Sequence, residues 1–138
     1  MDILLPLPVT CAKTFLGLPE EIGAAREWVR CVLGEQCPRL EDAVLVASEL
    51  ATNTIRHSAS GAAAGRFALQ IELTATSAGL TCIDMGPALA PAPRPAGEGG
   101  RGLQIVKCLT SDYTVRDEPT SRTVRCRLVW PEQDGEAR

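Results

Sequence analysis

Between Pro87 and Gly100 the chain is dominated by proline, alanine and glycine. Proline lacks a backbone donor and blocks a helix interior, and glycine weakens helix and strand alike. Neither a helix nor a central strand survives that composition. The fold must therefore be assembled from segments on either side of a long irregular connection. In a compact domain such a connection is commonly a functional lid.

Upstream of this segment the periodicities are clear. Residues 9–16 read as a first strand. Leu18-Pro19-Glu20-Glu21 opens a helix, with proline in the first turn and acids at the positive end of the dipole. Ile22, Ala25, Trp28, Val29, Val32 and Leu33 recur at helical spacing until Gly34. A second helix spans 40–57, with Leu40, Ala43, Val44, Ala47, Leu50, Ala51 and Thr54 on one face. Small residues from Ser58 to Gly65 make a loop. Phe67, Leu69, Ile71 and Leu73 alternate with Arg66, Ala68, Gln70 and Glu72, the pattern of a half-buried strand. Ser77-Ala78-Gly79 reads as a turn, and 80–84 as its hairpin partner.

Downstream, 103–109 reads as a short helix and 113–116 as a strand. Val124, Cys126, Leu128 and Trp130 alternate in a last strand. The order β-α-α-β-β-lid-α-β-β predicts an α/β (α+β) two-layer sandwich, with helices on one face of a mixed, mostly antiparallel sheet. The 138 residues fit one domain, with a core over about 10–130 and a frayed tail over 131–138.

Composition narrows the function. With 45% apolar residues a packed core is expected. A net charge of -3 argues against direct nucleic-acid binding driven by phosphate neutralisation. The N-terminus has no basic region and no apolar run long enough to span a membrane, so a cytoplasmic protein is expected. The six cysteines form no C-x-x-C pair, so free thiols are expected, with Cys82 and Cys126 in the core.

Three groups of residues point to chemistry. On the second helix Glu49, Asn53, Arg56 and His57 share a face away from the apolar stripe. An amide oxygen there can ligate Mg²⁺, and a carboxylate one turn away can take a proton from an attacking hydroxyl. A solvated helix face is the competing reading. Asp84-Met85-Gly86 closes a strand: the carboxylate can accept a hydrogen bond from an exocyclic amine, and the glycine lets backbone approach a flat ring. An ordinary turn competes. Gly97 to Gly102 leads into the third helix and can expose backbone N–H groups to an anion; a flexible lid hinge competes. This run matches G-x-G-x-x-G, but it follows a proline-rich loop and not a strand, so a dinucleotide fold is rejected. There is no P-loop. His57, the only histidine, reads as a structural helix-end residue.

In this order the three groups resemble a known family. Ser48-Glu49-Leu50-Ala51-Thr52-Asn53-Thr54-Ile55-Arg56-His57-Ser58 resembles the asparagine box of the ATPases shared by gyrase, a heat-shock chaperone, mismatch-repair proteins and histidine kinases. Asp84-Met85-Gly86-Pro87 resembles the adenine box, and Gly100-Arg101-Gly102-Leu103 the second glycine box. The single-domain branch, anti-sigma-factor serine kinases and regulatory ATP-binding proteins like them, is the most similar. The resemblance implies ATP and Mg²⁺ as cofactors, Asn53 as the Mg²⁺ ligand and Glu49 as general base. It implies adenine contacts from Asp84, Gly86 and Thr123, phosphate contacts from Gly100 and Gly102 with Arg101 and Leu103 also cofactor-binding, and an ATP lid between the adenine box and the third helix. It further implies a protein serine/threonine kinase that sequesters a sigma factor and phosphorylates an anti-sigma-factor antagonist, and it leaves a homodimer open. A non-catalytic, nucleotide-dependent protein-binding module is the alternative. A full histidine kinase, with its phosphoacceptor domain, is not expected in this length.

Overall fold

The computed structural model of the protein describes residues 8–57, 65–85, 100–119 and 121–132. The elements are β1 (Val9–Leu16), α1 (Glu21–Leu33), α2 (Leu40–His57), β2 (Arg66–Leu73), β3 (Ser77–Asp84), α3 (Gly100–Leu109), β4 (Ser111–Glu118) and β5 (Ser121–Val129). The strands form one five-stranded sheet in the order β1-β2-β3-β5-β4. Every neighbouring pair is antiparallel, so the expected mixed sheet contains no parallel pair among these strands. The three helices cover one face, with α2 in the middle touching both α1 and α3.

The core lies between these layers. Phe67, Leu69 and Ile71 of β2, Leu80 and Cys82 of β3 and Val124, Cys126 and Leu128 of β5 meet Ala25 and Val29 of α1, Leu50 of α2 and Val106 of α3. Phe15 stacks on Phe67 with centroids 5.3 Å apart and meets Trp28 edge-on at 6.1 Å. Along α2, Val46 is fully buried although the apolar stripe of the sequence omits it. A helix flanked on both sides buries a wider arc than a single stripe.

Two boundaries differ from expectation. The hairpin turn lies at Thr74–Thr76 and not at Ser77–Gly79, because Thr74 and Ser77 close it with their hydroxyls 2.8 Å apart and a Thr74 N–H to Ser77 carbonyl bond of 2.8 Å. Gly79 pairs within the sheet, opposite Glu72 and Arg127. The third helix starts at Gly100, earlier than the apolar pattern predicts, which places Arg101 and Gly102 inside its first turn.

Arg39 fastens the end of the domain away from Asp84. Its guanidinium bonds Asp42 at 3.0 Å, the Leu109 carbonyl at the end of α3 at 2.8 Å and the Val129 carbonyl at the end of β5 at 3.3 Å. One side chain thus ties α2, α3 and the sheet, and satisfies carbonyls that a helix end and a strand end leave open.

All six cysteines are free thiols, with Cys82 and Cys126 buried and Cys31 and Cys108 exposed. Burial pushes the Cys82 thiol up to about 12 and Cys126 to about 11. Both therefore stay protonated, and the thiolate is the reactive form. Alkylation at pH 8 is expected to modify Cys31 and Cys108 while Cys82 and Cys126 react only after denaturation. Mass mapping of a timed iodoacetamide reaction checks this; early labelling of Cys82 would contradict the packing.

Candidate functional site

The site forms where the second half of α2, the first turn of α3 and the Asp84 end of the sheet converge. The position of α2 on the sheet follows from its buried stripe and from Thr54, whose hydroxyl lies 3.3 Å from the Cys82 thiol of β3. Cys82 also reaches the Leu50 carbonyl at 4.0 Å. Asp84 lies two residues beyond Cys82 and so points to the same, helix-covered face. It is 8% exposed, although it ends a strand. The preceding contacts therefore bring α2 and the Asp84 carboxylate to one side of the sheet.

Glu49 and Asn53 do not line a solvated face. Both are half-buried. The first turn of α3 closes over Glu49 so tightly that a Cβ added at Gly102 would lie 2.5 Å from Glu49 Oε1 and 3.5 Å from its carboxyl carbon. A side chain at 102 would displace the Glu49 carboxylate, and the constraint is one of space and not of backbone conformation: the left-handed backbone angles among the described residues belong to Gly34 and Asp112. Arg56, on the same helix, is exposed.

Asn53 Oδ1 is buried and has no hydrogen-bond partner among the described residues. A buried amide oxygen without a donor carries a desolvation penalty, so its presence calls for a ligand. The described residues contain no cluster of three or more His, Cys, Asp or Glu able to hold a metal. An amide oxygen is a donor that Mg²⁺ accepts, since Mg²⁺ keeps its waters and takes one or two protein oxygens plus substrate phosphates. Asn53 is the residue that would hold it.

Gly100, Arg101, Gly102 and Leu103 form the first turn of α3, which has no acidic residue to occupy its N–H groups. Leu103 is half-buried. Gly86 and the expected lid lie outside the described residues.

The sheet register corrects one expected site residue. Thr123 pairs with Ile83, one position before Asp84, and so projects to the face away from the helices. Asp84 pairs instead with Arg122. The threonine expected to assist at the adenine site lies on the face opposite Asp84, and an arginine is paired with the carboxylate residue. Neighbours on a strand take opposite faces, so Thr123 and Arg122 cannot both face the helices. The strict alternation of Val124, Cys126 and Leu128 was the available signal: it puts Arg122 on their face.

The arrangement defines a class: a two-layer α/β domain with a polar helix face closed by a glycine-bearing helix start, beside a buried strand-end carboxylate. A family model for the histidine kinase-like ATPase domain matches residues 15–128. The chain belongs to that family, and is an ATP- and nucleotide-binding domain of it. No curated protein matches the chain. No helix among the described residues is long and apolar enough to cross a membrane.

Proposed function

We propose that this protein is a Mg-ATP-dependent protein serine/threonine kinase of the anti-sigma-factor type, which sequesters a sigma factor and phosphorylates a small antagonist protein in the cytoplasm. The observation that carries this reading is the junction of Glu49 with Gly102, one helical turn from the Asn53 oxygen that has no partner among the described residues. It supports the reading because a carboxylate lies against a helix start suited to phosphates, one turn from an amide oxygen that could accept a metal.

Each residue has a defined task. Asp84 accepts the hydrogen bond of the adenine amine. The N–H groups of the first α3 turn hold phosphate oxygens at the positive end of the helix dipole. Asn53 Oδ1 holds Mg²⁺, which neutralises phosphate charge when bound. Glu49 accepts the proton of the attacking serine hydroxyl as its oxygen bonds to the γ-phosphorus and ADP departs. Little covalent chemistry falls to the protein, so positioning and charge stabilisation supply the catalysis.

Calorimetric titration with ATP, with and without Mg²⁺, tests the binding half. Asp84→Asn keeps the side-chain shape and one carbonyl acceptor but removes the charge; it is expected to weaken ATP binding by roughly tenfold. Unchanged affinity would remove Asp84 from the site. Transfer from ATP to a small co-encoded antagonist tests the catalytic half. ATP binding without transfer in any pairing would leave a nucleotide-dependent binding module.

A further inference from the structure

We infer that Arg122 is a nucleotide-contacting residue that reads the purine ring beside Asp84, donating to the ring nitrogen adjacent to the exocyclic amine. This rests on the ATP-binding reading above.

The register carries the argument. Asp84 and Arg122 are cross-strand partners on the helix-covered face of β3 and β5. Side chains so paired start about 4.5–5.5 Å apart at Cβ. On adenine the amine donor and the N1 acceptor are neighbours on one edge of the ring. A base whose amine donates to Asp84 and whose N1 edge faces β5 turns N1 toward Arg122, Asp84's partner on that side. A carboxylate alone meets half of that edge; a donor beside it meets the other half.

Arg122 is suited to be that donor. Its side chain is 45% exposed, and its one charge partner among the described residues is Asp117, with Nε 3.4 Å from Oδ1. That ion pair is between exposed groups and weak. Beyond that Nε ion pair the guanidinium makes no side-chain hydrogen bond with the described residues, and its two NH₂ groups carry four further N–H donors suited to a ring nitrogen. Asp117 pairs with Arg122 across β4 and β5, as Asp84 does across β3 and β5, so the three residues lie side by side on one face of the sheet. Thr123, projecting to the opposite face, is out of reach of the same position.

The test pairs a ligand change with a side-chain change. The ligands are ATP and 1-deaza-ATP, in which a C–H replaces the ring nitrogen. The proteins are wild type, Arg122→Met, which keeps the apolar stem, and Asp117→Asn, which removes the ion pair alone. Calorimetry is expected to show wild type and Asp117→Asn preferring ATP by roughly tenfold, and Arg122→Met binding both ligands alike. Equal binding of both ligands by wild type, or an undiminished preference in Arg122→Met, overturns the assignment. An equal loss for both ligands in Arg122→Met, with the preference intact, overturns it in favour of a phosphate contact. Wild type binding neither ligand sinks the ATP reading itself, a result distinct from ATP binding without preference.

Discussion

Gly102→Ala is expected to leave the fold intact and to lower phosphoryl transfer by at least about 100-fold. The position lies in the first turn of α3 without left-handed backbone angles. Alanine is the better helix former there, by up to about 1 kcal/mol. The obstacle is Glu49 Oε1, 2.5 Å from where the new methyl would sit. That oxygen ends a flexible side chain, so it can rotate away at little expense in stability. What is lost is the placement of the carboxylate, and a displacement of about 1 Å is enough to disable a positioned group. Thermal unfolding beside single-turnover transfer separates the two effects. In a Glu49→Ala background the same substitution should cost no further activity. Normal transfer by Gly102→Ala would show that Glu49 does not act from the place it occupies.

Asn53→Ala should move stability and binding in opposite directions. The buried Oδ1 has no partner among the described residues, and leaving such an atom unsatisfied costs about 1–3 kcal/mol. Truncation removes that penalty, so the ligand-free protein should unfold at an equal or higher temperature. The Mg²⁺-dependent part of ATP binding should fall by at least the roughly 10–100-fold typical of lost metal-shell partners. Thermal shift with and without Mg-ATP reads both signs in one experiment. A variant still stabilised by Mg²⁺ to the wild-type extent would show that the metal is held elsewhere. Both substitutions describe a site that forgoes stability for function, the pattern expected where local rules are broken on purpose.

Local chemistry determined much of this protein. The alternation in β2 and β5 and the 3.6-residue repeat of α1 and α2 are properties of single segments, because burying one face demands them. The Pro/Ala/Gly stretch after Asp84 divided the chain for the same local reason. Glu49, Asn53 and Asp84 were legible as candidates because spacing on one helix and position at one strand end follow from backbone geometry alone. Only the tertiary structure decided what those residues meet. That Glu49 lies under Gly102 depends on how α3 crosses α2, and that Asn53 Oδ1 is buried is a property of the folded chain and not of helix spacing. The hairpin turn at Thr74 to Thr76 came from a hydroxyl pair that outcompeted a glycine signal. Which of Thr123 and Arg122 stands opposite Asp84 was decided by strand register: alternation in β5 puts Arg122 on the face of Val124, and pairing across β3 and β5 sets it against Asp84.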